Sequence, residues 1–168
     1  MSEDLLLWHD FDVSLVTAAA GLLGLLFVAL SLHLRVLNDE KNAELRAVAR
    51  TIFIGYVISL GVGFFALFPQ SLNAYGIELL GLNLAAVVPF VHAAGRGLRA
   101  QGVGYRRSVT VTQFIAGLAL IVTTLVASLD IAASDPHGLA VMAGIAVLSL
   151  IWGVFNTWEL IFRVAKLG

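Results

Sequence analysis

Five apolar runs, each long enough to cross a lipid bilayer as a helix, leave this chain few possible folds. They cover residues 13–34, 47–68, 72–92, 108–129 and 139–162. A hydrocarbon core about 30 Å thick needs about 20 apolar residues in a helix, and a helix satisfies its own backbone groups in lipid. The pattern predicts an all-α, polytopic transmembrane helix bundle of five spans, with residues 1–168 forming one integral membrane domain. A four-span alternative makes the third run re-entrant, because Pro69 and Pro89 bound it.

Composition supports the same class of protein and excludes several functions. With 60% hydrophobic and 12% charged residues, the chain has too few polar side chains to cover a water-soluble globule. The net charge of −1 argues against a nucleic-acid partner, since binding a polyanion needs a basic surface. Cysteine is absent, which excludes thiol chemistry and cysteine-ligated metals. No HExxH, Walker or Ser/His/Asp pattern appears, so we expect no enzymatic activity, no cofactor and no bound metal.

The basic residues predict how the chain is oriented. All ten fall in the first loop, the third loop and the C-terminal segment, which five alternating spans place on one side of the membrane: Arg35, Lys41, Arg46, Arg50, Arg96, Arg99, Arg106, Arg107, Arg163 and Lys166. Cytoplasmic loops carry the excess of Lys and Arg. We therefore expect the N-terminus outside and the C-terminus in the cytoplasm.

The third run carries the most informative polar residues. Glu78 and Asn83 interrupt a stretch that is otherwise apolar, and helical rise places Glu78 roughly 8 Å below the outer hydrocarbon surface. No basic residue lies on that side of the membrane, so Glu78 is either protonated and hydrogen-bonded, with Asn83 or Gln113 as candidate partners, or ionised in a water-filled cavity. A functional and a structural role both remain open.

Other polar residues at membrane depth have simpler explanations. Glu159 precedes Arg163 by four residues, the favourable order for a helical ion pair, and a structural role is the better hypothesis. Asn156 lies on the same face of the fifth span as Glu159, nearer the middle of the membrane. The alternative to a structural role is that these residues form the polar inner mouth of a pore. Gln113 belongs to a mildly polar stripe on the fourth span.

Small residues recur at helical spacing on the first two spans. Such residues let helix backbones approach each other, and we expect these positions to be packing faces: Gly21, Gly24, Gly55, Ser59 and Gly63.

Acidic and imidazole side chains gather in the segments predicted to lie outside. They form an acidic rim of His9, Asp10, Asp12, Asp130, Asp135 and His137. No calcium-loop or zinc spacing is present, so a solvated rim is favoured over a weak divalent-cation site. Haem ligation by His33 and His92 is a remote alternative, because no supporting pattern surrounds either residue.

Three segments resemble a known family. They are WHDFDVSLVTAAAGLLGLLFVALSLHL near the N-terminus, LNAYGIELLGLNL and the terminal FNTWELIFRV. They are similar to small actinobacterial multi-span membrane proteins that open with a WHDFF-like motif and are often labelled modulators of the FtsH protease. The match includes Trp8, His9, Asp10, Phe11 and Glu78, with Asp12 replacing the second aromatic residue. The resemblance implies a multi-pass protein of the bacterial inner or plasma membrane, and it brings no established active site.

Two functions follow from the sequence. The first is a homo-oligomeric ion channel or ion-conducting pathway with Glu78 near the outer mouth, because five spans are too few to enclose a wide pore alone. The second is a non-conducting interaction protein that binds a membrane protease or another membrane partner through its glycine faces and basic loops. The lipid bilayer is a partner in either case.

Overall fold

Every regular element of the described chain is helical. A computed structural model describes residues 3–99 and 107–167. Its elements are α1 (Glu3–Leu7), α2 (His9–Leu32), α3 (Leu34–Asn38), a 3₁₀ turn (Glu40–Asn42), α4 (Ala43–Ala66), α5 (Leu72–Arg99), α6 (Arg107–Ala132) and α7 (His137–Ala165). Five of these helices are long and apolar enough to cross a membrane. The predicted all-α bundle with five candidate spans is therefore confirmed.

The third span is one continuous helix. α5 runs for 28 residues, about 42 Å at 1.5 Å per residue, so the re-entrant alternative is wrong. Pro89, which bounds the predicted third run, does not end the helix. Proline removes one backbone donor, but Pro89 is exposed on the bundle surface while Ala86 and Phe90 on either side of it are buried. Packing of these flanking residues keeps the helix going for another ten residues.

The helices alternate in direction and define two ends of the bundle. The acidic end contains the starts of α2, α5 and α7 and the ends of α4 and α6, and the basic end contains their opposite ends. At the basic end, Arg46 Nη1 donates to the carbonyls of Leu37 and Asp39 at 2.6 and 2.8 Å. These bonds tie the short α3 segment to the start of α4. Arg106, one of the ten basic residues, lies outside the described residues.

α4 lies at the centre of the packing. It contacts α2, α5 and α7 extensively and α6 more weakly. α4 to α7 form a four-helix bundle in which α4 and α6 are diagonal, and α2 packs outside against α4 and α7. Fully buried apolar residues fill the two halves of the core, among them Leu79 and Ile131 towards the acidic end and Leu26 and Leu160 towards the basic end.

Large apolar side chains cover the outside of the bundle. Phe27 on α2 is 67% exposed and Phe155 on α7 is 68% exposed. Exposing such a surface to water is unfavourable, whereas lipid tails are as apolar as the side chains themselves. The exposed surface therefore suits contact with a bilayer.

The small-residue faces differ in what they touch. A Cβ at Gly63 would lie 2.8 Å from Val16 Cγ2, so Gly63 allows α2 and α4 to approach closely, and Gly55 lies opposite Ser149. Gly21 and Gly24 are exposed, and a Cβ on either would meet nothing within 4 Å. Their predicted packing role is therefore wrong within one chain, because α2 buries its opposite face against α4.

Candidate functional site: polar cavities inside the bundle

A cavity of about 60 Å³ between α4, α6 and α7 brings polar side chains together inside the bundle. Its walls carry six polar side chains among apolar ones: Thr51, Ser59, Gln113, Thr124, Ser149 and Asn156. The ring of Phe90 closes the side that faces α5 and packs edge-on against Phe114. A buried water needs roughly 10–15 Å³ and two to four polar partners, so this cavity can hold a few water molecules.

Gln113 and Asn156 form the polar centre of this cavity. Gln113 Nε2 donates to Asn156 Oδ1 at 2.7 Å, and Asn156 Nδ2 donates to the Trp152 carbonyl at 2.7 Å. Gln113 Oε1 is buried and accepts no hydrogen bond from any described residue. A buried acceptor left alone costs about 1–3 kcal/mol. The site therefore favours a ligand or water that donates a hydrogen bond.

The hydroxyl groups around the cavity are oriented by their own helices. Ser59 Oγ donates to the Gly55 carbonyl at 3.1 Å, and Thr124 Oγ1 donates to the Leu120 carbonyl at 2.7 Å. With their protons used in this way, the two oxygens present lone pairs. The cavity wall is thus rich in neutral acceptors, and among residues 3–99 and 107–167 no charged side chain lines it.

A second, smaller cavity lies at the acidic end around Asp12. It measures about 10 Å³ and is lined by Trp8, Phe11, Asp12, Val62, Tyr75, Leu139, Met142 and Ala143. Asp12 is only 5% exposed, so its assignment to a solvated rim is wrong. The reason is helical register, since Asp12 shares the buried face of α2 with Leu15, Ala19 and Leu26. That spacing is visible in the sequence and could have identified Asp12 as an interior residue.

The two cavities lie in series. Val62 of α4 and Met142 of α7 line both of them, so the two side chains form the partition between Asp12 and the larger cavity. Tyr75 stands beside the partition and donates its hydroxyl to the Val62 carbonyl at 3.0 Å. Asp12 and the Gln113–Asn156 pair therefore lie in adjoining cavities, with the apolar side chains of Val62 and Met142 between them. We refer to these polar groups as the polar line and to the two apolar side chains as the constriction.

Glu78 lines neither cavity. Its carboxylate accepts a hydrogen bond from Gln70 Nε2 at 2.9 Å, and the same nitrogen donates to the Phe65 carbonyl at 2.7 Å. Glu78 is half-buried, and its partner is neither Asn83 nor Gln113, the two that were predicted. The Gln70–Glu78 hydrogen bond holds the segment that connects α4 and α5. Gly81, one turn further along α5, faces outwards, and a Cβ added there would meet nothing within 4 Å.

Asn83 is fully buried between α5 and α6. Its Nδ2 donates to the Leu79 carbonyl at 2.8 Å and to Ser128 Oγ at 3.3 Å. Its Oδ1 has no partner among the described residues. Asn83 lines neither of the two cavities described above, so it joins α5 to α6 without belonging to the polar line.

Glu159 and Arg163 form the expected ion pair. Arg163 Nε donates to Glu159 Oε1 at 2.8 Å, and Arg163 Nη2 lies 2.5 Å from the same oxygen. Both side chains are partly exposed, and neither lines the cavities. The pair lies at the basic end of α7, separate from the polar line.

The remaining rim residues are exposed at the acidic end: His9, Asp10, Asp130, Asp135 and His137. Asp135 has a local structural role, since its carboxylate accepts from the His137 backbone N–H at 2.9 Å where α7 begins. Within residues 3–99 and 107–167, no three His, Asp or Glu side chains come together as a metal site would require.

Comparison with known proteins adds no relatives to this picture. No protein-family model, curated protein or solved structure matches the chain.

The Gln113–Asn156 hydrogen bond gives a stability prediction. Replacing Asn156 with Leu leaves the buried amide of Gln113 without its acceptor, and we expect the free energy of unfolding to fall by about 1–2 kcal/mol. The measurement is unfolding by SDS in mixed micelles. Phe155→Leu, at an exposed position one residue away, should change little. Equal stability of Asn156→Leu and the wild type would contradict a structural role for this bond.

Proposed function

We propose that the protein conducts protons across the membrane through the interior of each chain. The observation that carries the proposal is the pair of cavities in series, which share Val62 and Met142. Together they give a polar line that begins at a carboxylate and ends at an amide pair.

The size of the cavities favours protons over larger cations. The larger cavity, about 60 Å³, has room for a few waters, and the smaller one, about 10 Å³, for one at most. Neither is large enough for a hydrated metal ion. A proton needs no open passage, because it moves along hydrogen-bonded water, hydroxyl and carboxyl groups. The apolar constriction at Val62 and Met142 can gate the line by admitting or excluding water.

Asp12 is the proton-binding group of this proposal. A carboxyl group inside a membrane bundle is a functional candidate by default, and Asp12 is buried beside the constriction. The positive-inside rule assigns the basic end to the cytoplasm, in which case Asp12 receives protons from outside. Glu78 is outside the line and fastens the α4–α5 connection through Gln70.

The test compares two carboxylates that differ in position. Purified wild type, Asp12→Asn and Glu78→Gln are placed in liposomes, and proton uptake is driven by a potassium diffusion potential and followed with a pH-sensitive dye. We expect wild type to conduct and Asp12→Asn to lose about tenfold or more, which corresponds to ~1.4 kcal/mol or more in the barrier. Glu78→Gln should stay within about twofold of wild type.

Three outcomes would count against the internal pathway. Sensitivity to Glu78→Gln alone would shift the pathway to an interface between copies, as in the homo-oligomeric channel predicted from sequence. A proton flux of Asp12→Asn equal to that of wild type would show that Asp12 is not part of the pathway. No flux of protons, sodium or potassium from a folded, monodisperse protein would exclude conduction.

A non-conducting interaction protein is the second candidate function. It is favoured by the exposed small residues of α2, where Gly21 and Gly24 leave a face that a helix of another membrane protein could approach closely. A membrane protease of the FtsH type is the partner that the sequence resemblance suggests. Gly24→Ile should then weaken association with the purified protease and leave the bundle stable.

A further inference from the structure

A groove rimmed by four arginines opens between α4 and α5 at the basic end. It has a volume of about 350 Å³ and is lined by Ala43, Arg46, Ala47, Arg50, Ala93, Arg96 and Arg99. The spacing of these residues puts one face of α4 opposite one face of α5. The alanines form a low floor, and the arginines stand along both sides of it.

Three of the four guanidinium groups are available to a ligand. Arg50, Arg96 and Arg99 are exposed, and none of them forms a hydrogen bond or ion pair with another described residue. Arg46 is held in place by the Leu37 and Asp39 carbonyls, which occupy its Nη1. By contrast, Arg163 at the same end of the bundle is paired with Glu159.

None of the described residues that line this groove is a carboxylate. Glu44, the neighbouring acidic residue on α4, is 4% exposed and does not reach the lining. The groove therefore concentrates up to four positive charges with no internal counter-charge among its described lining residues. Guanidinium groups bind phosphate oxygens through paired N–H donors, so the chemistry selects a phosphate-bearing ligand.

The position of the groove identifies the source of that phosphate. It lies at the ends of two candidate membrane spans, where lipid headgroups meet water. Phe53, which is 44% exposed, lies one turn from Arg50 towards the middle of the bundle and offers an apolar surface to an acyl chain. Basic pockets between transmembrane helices are known to bind anionic headgroups.

We propose that this groove binds the phosphate headgroup of an anionic phospholipid, with a lipid that carries two phosphates as the best fit to four arginines. Arg96 and Arg99 from α5 and Arg50 from α4 contact the phosphates, while Arg46 anchors the side of the groove nearest α3. The bound lipid bridges the basic ends of α4 and α5.

The test measures lipid retained on the purified protein by native mass spectrometry. Cardiolipin, phosphatidylglycerol and phosphatidylcholine are added at limiting, equal concentrations to wild type, Arg96→Gln/Arg99→Gln and Arg35→Gln/Lys166→Gln. The last variant removes the same charge from the same end outside the groove. We expect wild type to retain cardiolipin best and phosphatidylcholine least, the groove variant to lose roughly tenfold in cardiolipin affinity, and the control to stay within about twofold.

Several results would overturn the proposal. Equal losses in the two double variants would show a general charge effect instead of a site. Equal retention of phosphatidylcholine and cardiolipin would show that the charge of the headgroup does not determine binding. An inorganic phosphate arm separates the sources: displacement of cardiolipin by phosphate at similar concentrations would assign the groove to a soluble anion. Gel filtration of each variant establishes that the bundle is intact.

Discussion

Replacing Ser149 with Leu is expected to reduce proton flux at least about tenfold while the bundle stays folded. Ser149 lines the larger cavity on α7, and its Oγ lies 3.6 Å from where a Cβ at Gly55 would stand. A leucine there fills space that water would occupy and replaces a hydroxyl by methyl groups. A tenfold loss corresponds to ~1.4 kcal/mol in the barrier.

The Ser149→Leu experiment uses the same liposome assay and one control on the same helix. Val147→Leu adds volume at a position that is 40% exposed, so its flux should match wild type. Unfolding in mixed micelles should show Ser149→Leu to be at least as stable as wild type, because filling a cavity adds packing contacts. Wild-type flux through a stable Ser149→Leu protein would exclude the cavity as the proton route.

Replacing Gly76 with Ala is expected to give the largest loss of stability among single-methyl changes on α5. A Cβ at Gly76 would stand 2.5 Å from Ala132 Cα and closer still to the Ala132 backbone nitrogen. Backbone atoms cannot rotate away as a side chain can, so α5 and α6 would have to separate. Overpacking of this kind costs about 1–3 kcal/mol, measured as the free energy of unfolding by SDS.

Gly81→Ala is the matched control for Gly76→Ala. It makes the same chemical change on the same helix, but a Cβ at Gly81 would meet nothing within 4 Å. Alanine is the better helix former by up to about 1 kcal/mol, so Gly81→Ala should be neutral or slightly stabilising. Equal losses in the two variants would contradict the close α5–α6 approach. Altered flux in Gly81→Ala without altered stability would point to contacts between copies on that face.

The helices could be predicted from the sequence because their signal is local. Each apolar run determines its own span, and the ion pair of Glu159 with Arg163 depends on a spacing of four residues. α5 nevertheless extends to Arg99, beyond the predicted end at residue 92. Hydrophobicity marks where the apolar run stops, but a helix can continue into polar sequence.

The interior of the bundle was harder to predict because it depends on which helix faces pair. Gln113 and Asn156 are 43 residues apart. Both were predicted to be polar intramembrane residues, but the hydrogen bond between them was not predicted. Asp10 and Asp12 are two residues apart, yet one is exposed and the other buried. Similarly, glycine spacing predicted packing on two helices, and only pairing in three dimensions shows that Gly63 faces a neighbour while Gly21 and Gly24 face outwards.

The unbroken passage of α5 through Pro89 has a mechanical consequence. A proline inside a helix leaves the carbonyl four residues earlier without its usual donor, so α5 is most easily bent at this turn. The residue that follows is Phe90, the ring that closes the larger cavity, and the segment beyond it carries Arg96 and Arg99. Bending at Pro89 would therefore move Arg96 and Arg99 at the basic end together with the ring of Phe90 in the cavity wall.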